Sequence, residues 1–96
     1  MDYQWKKLYR QFFQISKIMK NKKKYIEIFT KSFSMDVKKF DEKIKYNDIP
    51  EWDSIGHMTL MSELEEGFEI SIETDDIIDF SSFKKGIQIL KKYKIT

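Results

Sequence analysis

Residues 48–68 constrain the fold of this chain more than any other stretch, because an irregular segment leads there directly into an amphipathic helix. Pro50 and Trp52 close the segment, and the pair Asp53–Ser54 follows where the helical periodicity begins. At about 100° per residue, one face of this helix is apolar and is predicted to enter the core. That face consists of Met58, Leu60, Met61, Leu64 and Phe68. The pattern therefore places a serine hydroxyl at the N-terminus of a core helix.

The opposite face of the helix is polar, with one exception. The residues of this face are Thr59, Ser62, Glu63 and Glu66, and the exception is the apolar Ile55. Unpaired backbone N–H groups at a helix N-terminus favour an adjacent phosphate. The sequence thus predicts that Ser54 is a fixed point on which a phosphorylated group could be attached.

The motif Asp53–Ser54–Ile55, together with the pattern downstream of it, resembles the acyl carrier proteins. That pattern consists of Leu60, Leu64, Glu65, Glu66, Phe68 and Ile70, and the resemblance covers roughly residues 22–93. The tripeptide alone recurs by chance, whereas the motif joined to its helix pattern is specific. The resemblance implies that Ser54 carries 4′-phosphopantetheine, that Asp53 supports its attachment, and that acyl or aminoacyl groups are held on it as thioesters.

The resemblance also implies a fold. We expect residues 21–96 to form an all-α, four-helix bundle of the acyl-carrier type, with a long first loop and a short third helix. A chain of 96 residues with three glycines, one proline and no cysteine agrees with one helical domain without disulfides. The first helix of this domain is predicted to begin near Tyr25, and the long loop to run from Val37 to Asp53. Thr74 is expected to cap the short helix.

The last helix is expected to begin with a serine cap, either Ser81 or Ser82. Its apolar stripe is predicted to consist of Phe83, Gly86, Ile87, Leu90 and Tyr93. Three lysines in its final turn, Lys91, Lys92 and Lys94, favour the C-terminal end of the helix dipole.

Residues 1–20 form an additional segment with helical amphipathicity. Its apolar face consists of Trp5, Leu8, Tyr9, Phe12, Ile15 and Met19. The spacing excludes the continuous apolar core of a secretory signal, and the segment is too short to span a membrane. We predict an extra amphipathic helix that packs on the domain or on a second copy, with self-association through Trp5, Leu8, Tyr9 and Phe12 as the hypothesis. A partner-docking or membrane-surface helix, or a start of translation at Met19, remain alternatives.

The net charge of +2 conceals a strong segregation of charge. Residues 48–79 contain eleven acids and no Lys or Arg, whereas the first 45 residues contain thirteen Lys or Arg. The basic isoelectric point near 8.7 would by itself invite a nucleic-acid interpretation. Because the helix of interest is acidic, we predict no nucleic-acid partner and interpret the lysines as solvated helix surfaces.

The sequence gives little support for an enzyme. His57 lies one helical turn from Ser54, but a nucleophilic serine also needs an oriented base, an oxyanion site and a substrate pocket. We predict instead that His57 is partly buried and bonded to the preceding loop. No zinc-binding spacing or glycine-rich phosphate loop is present in the sequence.

The resemblance implies partner enzymes: a phosphopantetheinyl transferase that uses coenzyme A, and enzymes that load and transfer acyl groups. We predict that Ile55, Thr59, Glu63 and Glu66 form the face on which they dock. Gly56 and Thr59 occupy positions that are usually acidic in fatty-acid carriers, which points to a specialised pathway. The alternative is a carrier-like helical interaction module without a prosthetic group. The absence of cysteine agrees with a cytoplasmic location, which we predict.

Overall fold

The computed structural model describes residues 20–95, which form four α-helices. Helix α1 covers residues 20–32 of the described chain, and the others are α2 (Ser54–Phe68), α3 (Thr74–Asp79) and α4 (Phe83–Lys92). A 3₁₀ turn, Val37–Lys39, lies in the connection between α1 and α2. Residues 20–95 contain no β-strand, only an isolated antiparallel bridge between Lys45 and Ser82. The prediction of an all-α fold is therefore confirmed.

The predicted extension, with Trp5, Leu8, Tyr9 and Phe12, lies outside the described residues. Over residues 20–95, no helix is long and apolar enough to cross a membrane.

Helix α1 corrects one prediction, because it does not begin near Tyr25. Residue 20 is already helical, and the helix continues without a break through the polar stretch 21–24. Asn and Lys are tolerated inside helices, where only Gly and Pro are strongly unfavourable. The side-chain amide of Asn21 also donates a hydrogen bond to the carbonyl of Ile95, so this stretch is joined to the end of the domain. The helix ends at residue 32, and Ser34 just beyond it lies in the left-handed region at φ 51°.

The core is aromatic and is built around α1. The ring of Tyr25 stacks on Phe83 with centroids 4.4 Å apart, and Phe29 packs edge-on against Trp52 at 5.2 Å. All four side chains are fully buried. The Tyr25 hydroxyl donates to the carbonyl of Phe83 at 2.9 Å, so its polar atom is satisfied, and burial raises the pKa of this tyrosine well above 10.

The connection between α1 and α2 packs against the helices. Ile44 and Trp52 are buried, and Phe40 and Ile49 pack against the core from partly buried positions. Two backbone hydrogen bonds join this loop to the N-terminal end of α4: Tyr46 N–H to Ser81 O at 2.9 Å, just before the helix, and Phe83 N–H to Ile44 O at 3.0 Å, at its first residue. The loop therefore holds Asp53 and the start of α2 in a defined place.

The N-terminus of α3 differs from the prediction. Thr74 is the first helical residue, and Glu73 occupies the cap position without a side-chain hydrogen bond. Asp76, in the first turn of α3, is buried, with Lys92 Nζ at 2.8 Å and Tyr93 Oη at 2.7 Å from its carboxylate oxygens. The hydrogen bond from Lys92, and to a lesser extent the one from Tyr93, lowers the pKa of Asp76 below its ordinary value of 3.8. The carboxylate thus joins α3 to the end of α4.

We predict that Asp76→Asn destabilises the protein at neutral pH and has a smaller effect in acid. Because the pKa of Asp76 is lower in the folded than in the unfolded chain, its contribution is present at pH values above about 4 and is lost as the pH falls through the folded value. Urea unfolding of both proteins across acidic pH values measures the difference. Asp75→Asn, at the adjacent exposed position, is the matched control and should show no such pH dependence.

The sequence located α4 more accurately. Ser82 is its N-cap and accepts a hydrogen bond from Lys85 N–H at 2.9 Å. Phe83, Gly86 and Leu90 are buried as predicted, while Ile87 is only partly buried and Ile89 takes its place in the core.

Candidate functional site

The site begins with the cap of α2. Asp53 is the N-cap residue, and its Oδ1 atom accepts a hydrogen bond from Gly56 N–H at 2.8 Å. Its carbonyl accepts the first helical bond, from His57 N–H, also at 2.8 Å. Ser54 is consequently the first residue of α2, and its side chain is exposed. The predicted position of the serine at a helix start is confirmed.

Gly56 is required by a close approach of the loop to α2. A Cβ atom at this position would overlap the carbonyl group of Glu51 and would lie 3.3 Å from the Phe33 ring. A backbone oxygen cannot move away as the end of a flexible side chain can. A residue with any side chain, acidic or not, would therefore displace the loop that precedes Ser54.

The loop is joined to α2 and α3 through one histidine. The indole N–H of Trp52 donates to Nδ1 of His57 at 3.0 Å, so Nδ1 acts as an acceptor and the ring proton is on Nε2. Nε2 donates in turn to the carbonyl of Ile77 in α3, at 2.7 Å. We call this arrangement of Trp52, His57 and the Ile77 carbonyl the His57 bridge.

The bridge confirms that His57 is partly buried and bonded to the preceding loop. Both ring nitrogens are engaged by groups other than Ser54. In this arrangement neither nitrogen can take a proton from the Ser54 hydroxyl, which a Ser–His pair would require.

Tyr46 is a site residue that the sequence analysis did not identify. Its hydroxyl lies 3.3 Å from Ser54 Oγ, and its ring packs edge-on against His57 at 5.7 Å. In the sequence Tyr46 is one of several apolar residues of the long loop, together with Phe40, Ile44 and Ile49. No local motif connects it to Ser54, because the folding of the loop brings the two together.

An apolar groove begins at Ser54 and runs between α2 and α3. It has a volume of about 370 Å³ and is lined by Tyr46, Ser54, His57, Met58, Ile77, Ile78, Phe80 and Ser81. We call it the α2–α3 groove. A second depression of about 480 Å³ follows the outer side of α2, and its lining comprises Ser54, Ile55, Met58, Thr59, Ser62 and Glu63.

The structure places the four predicted docking residues on the surface. Ile55 is 79% exposed, and Thr59, Glu63 and Glu66 are exposed with it. Their helical spacing puts them on one side of α2. We call these four residues the docking face.

Two further apolar side chains lie near Ser54. Met58, predicted for the core, is 54% exposed and lines both depressions. Ile78 is 73% exposed on α3, and the sequence analysis did not single it out. Isolated exposed apolar residues are normal, but Met58, Ile78 and Ile55 all lie around the Ser54 hydroxyl.

A larger groove, of about 560 Å³, lies along the long loop and involves none of the predicted site residues. Its polar lining carries both signs of charge, including Asp36, Lys39, Asp41 and Lys43. Across residues 20–95, no group of three or more Asp, Glu or His side chains is placed to hold a metal ion.

A scan against protein-family models and a search of curated proteins give no match to this chain. Its function must therefore be inferred from its own residues. The relevant ones are the exposed Ser54, the Asp53 cap and the groove that begins beside them.

Proposed function

We propose that this chain is an acyl carrier protein that holds acyl or aminoacyl groups on 4′-phosphopantetheine attached to Ser54. The observation that carries the proposal is the exposed Ser54 at the first position of α2, within the Asp-Ser-Ile motif and beside an apolar groove. The group, when bound, supplies a terminal thiol that holds acyl groups as thioesters. The chain itself supplies one attachment point and a surface that other enzymes recognise.

The residues around Ser54 fit a phosphodiester. The N-terminus of α2 favours a negative charge, and Asp53 already engages the N–H of Gly56 through one carboxylate oxygen. The Tyr46 hydroxyl, within 3.3 Å of Ser54 Oγ, can donate to an oxygen of a group attached there. Residues 48–79 contain no Lys or Arg, so their side chains form no ion pair with a phosphate at Ser54. Within this stretch such a phosphate would be held by its covalent bond to Ser54.

The helix order supports an acyl-carrier-type bundle. Residues 33–53 form a long first connection, and α3 has six residues between two longer helices. Both features agree with the fold that the sequence resemblance implies. Within this proposal the carrier domain is residues 21–96, and Asp53 supports modification by holding the start of α2 with Oδ1.

The direct test is the intact mass of the purified protein after incubation with coenzyme A and a promiscuous phosphopantetheinyl transferase. A gain equal to one phosphopantetheine is expected. An unchanged mass, in a reaction where a known carrier is modified, would favour the alternative of an unmodified helical interaction module.

We further propose that the docking face receives the transferase and the loading enzymes, with Met58 and Ile78 extending it towards the groove. Its members combine acidic and apolar side chains around the attachment point, which suits protein partners better than the polyanionic backbone of nucleic acid.

A cytoplasmic location remains a prediction. Gly56 and Thr59 occupy positions that are usually acidic in fatty-acid carriers. Because Gly56 is explained here by the close approach of the Glu51 carbonyl, the proposal of a specialised pathway rests on Thr59.

Ile55→Asp is expected to slow the transferase reaction about tenfold while leaving helicity and melting temperature nearly unchanged. The side chain is 79% exposed, so the fold gains little from it, whereas an apolar contact buried by a partner is worth about 1 kcal/mol or more. The initial rate of modification, measured by mass spectrometry, checks this. Val37→Asp, at a 61% exposed position in the long loop, makes the same chemical change and should not slow the reaction. Equal rates for the two variants would remove Ile55 from the docking face.

A further inference from the structure

One end of the bundle is formed by the start of α1 and the end of α4. The side-chain amide of Asn21 donates to the carbonyl of Ile95, so these two segments lie side by side. Residues 20–24 and 91–95 together contain seven lysines and no Asp or Glu. The loop 36–53 differs, because its four lysines are mixed with six acids. Positive charge is therefore concentrated where α1 begins and α4 ends.

Most of this charge is available to a partner. Lys22 pairs with Glu42 at 2.9 Å, and Lys92 pairs with the buried Asp76 at 2.8 Å. The other five lysines are exposed, and none of them forms an ion pair with a residue between 20 and 95. We call these five the lysine end: Lys20, Lys23, Lys24, Lys91 and Lys94.

The lysine end lies far from Ser54. A Cβ atom at Gly56 would lie 3.3 Å from the ring of Phe33 at the end of α1, whereas Gly67 faces Ile28 and Lys24, nearer its start. Helices α1 and α2 are therefore antiparallel. The 15 residues of α2 extend about 22 Å at 1.5 Å per residue. A partner that covers the lysine end leaves Ser54 accessible at the opposite end of the bundle.

An apolar groove of about 380 Å³ borders the lysine end. Its lining consists of Lys22, Lys23, Ile26, Glu27 and Val37. Val37 is 61% exposed, and Ile26 is partly buried. We call this depression the Val37 groove. Lysines beside exposed aliphatic groups suit an anionic membrane surface, which offers phosphates to the ammonium groups and an acyl boundary to the apolar side chains. The phosphate backbone of a nucleic acid would use the charges alone.

The chain that precedes the described residues joins the domain at this same end, because residue 19 is bonded to Lys20. The sequence 1–19 contains five aromatic residues, four Lys or Arg and one acid. Aromatic residues combined with an excess of positive charge are typical of segments that lie on anionic membranes. Of the alternatives left open for residues 1–20, this composition and its attachment to the lysine end favour a membrane surface.

We propose that the lysine end, together with the Val37 groove, is a surface on which this protein docks to an anionic membrane. Lipid phosphates bind the ammonium groups, and the aliphatic side chains of Val37 and Ile26 contact the acyl boundary. Ser54 then lies about 20 Å from the lipid and remains open to partner enzymes. The inference goes beyond the carrier function and does not depend on the modification of Ser54.

The test measures co-sedimentation of the full chain with two kinds of vesicle. One consists of phosphatidylcholine alone, and in the other about a third of the lipid is anionic phosphatidylglycerol. Binding is expected only to the anionic vesicles. It should weaken as salt is added, because salt screens exposed charges.

Two variants with the same change of net charge locate the binding surface. Each lysine near an anionic surface contributes about fivefold in affinity, so loss of four should weaken vesicle binding about tenfold or more. The lysine-end variant combines Lys20→Gln, Lys23→Gln, Lys91→Gln and Lys94→Gln. The control variant changes four exposed lysines near the Ser54 end of the domain and should weaken binding less than about threefold, because distant charges are screened. It combines Lys31→Gln, Lys45→Gln, Lys84→Gln and Lys85→Gln. Circular dichroism checks that both variants fold.

A third variant tests the apolar part of the surface. Val37→Asn removes an exposed apolar side chain without changing the charge and should weaken vesicle binding about threefold. Ile55→Asn, at an exposed position beside Ser54, is the matched control and should bind as the wild type does. Wild-type binding by Val37→Asn would remove the groove from the proposed surface and overturn the preference for lipid.

Three other results would overturn the proposal. They are no binding of the wild type to anionic vesicles, wild-type binding by the lysine-end variant, and equal weakening in both four-lysine variants, which would leave net charge alone as the cause. A labelled DNA duplex and a single-stranded RNA are measured at the same salt concentration. Tighter binding to either than to vesicles, lost in the lysine-end variant, would assign this surface to nucleic acid instead. The mass gain at Ser54 is measured separately, so failure of the carrier function is distinguishable from each of these results.

Discussion

Ser54→Ala is expected to abolish modification by coenzyme A and a phosphopantetheinyl transferase completely. The hydroxyl is the only group that this substitution removes, and it is the proposed attachment point. The fold should be unaffected, because the Ser54 side chain is exposed and the cap of α2 depends on Asp53. A surface change of this kind alters the free energy of unfolding by about 0.5 kcal/mol or less. Intact mass and circular dichroism of the same samples check both statements.

Ser62→Ala is the matched control. Ser62 is exposed on the same helix and lines the same outer depression as Ser54, but it is not at the helix N-terminus. It should gain one phosphopantetheine at the wild-type rate. A mass gain in Ser54→Ala would show that another hydroxyl is modified, and would remove Ser54 from the site.

The sequence predicted the features of the site that are local in the chain. Asp53 and Ser54 lie at the start of α2 because a capping residue and the onset of helical periodicity are both readable from neighbouring residues. For α4 the same kind of signal leaves Ser81 and Ser82 as candidate caps, and Ser82 is the one that caps the helix. Such signals need no knowledge of what the helix packs against.

Features that depend on contacts between distant segments could not be predicted. Tyr46 lies beside Ser54 because the loop folds back, and Asp76 is buried because Lys92 and Tyr93 reach it from α4. The local pattern identifies Asp76 only as an acid in the first turn of α3, which it is, and gives no sign of its partners in α4.

Met58 shows why helical periodicity alone misplaces residues at the edge of a face. It shares the apolar side of α2 with Leu60, Met61 and Leu64, which are buried. Its neighbour across the groove is the six-residue helix α3, and Met58 lines the groove instead of entering the core. The same side chain that the pattern assigns to stability is thereby available to a ligand or a partner.

The substitution with the largest expected effect on stability is Gly86→Ala in the middle of α4. A Cβ atom at this position would overlap both Cζ of Phe80 and the hydroxyl oxygen of Tyr25. Both rings are buried, and the Tyr25 hydroxyl is fixed by its hydrogen bond to the Phe83 carbonyl. The added methyl group must therefore displace two packed rings.

Helix propensity acts in the opposite direction, since Ala is favoured over Gly inside a helix by about 1 kcal/mol. Overpacking of a core costs about 1–3 kcal/mol, and a disturbed hydrogen bond to a buried group adds about 1–3 kcal/mol. Packing should prevail, and we expect a net loss of about 2–4 kcal/mol in the free energy of unfolding, measured by urea denaturation.

Gly67→Ala provides the control, because Gly67 also lies inside a helix. There the added Cβ would meet chiefly the terminal methyl group of Ile28, the flexible end of a partly buried side chain that can turn away. Its stability should stay within about 1 kcal/mol of wild type, with the helix propensity of Ala offsetting a small steric cost.

A double-mutant cycle tests the reason given for the Gly86 effect. Tyr25→Phe removes the hydroxyl oxygen that the new methyl group would meet, so it should reduce the additional loss caused by Gly86→Ala. Simple addition of the two single effects would exclude the Tyr25 hydroxyl as a source of the strain. A stability equal to wild type in Gly86→Ala alone would mean that the core around Tyr25 and Phe80 can expand by a methyl group, which the close packing of these rings opposes.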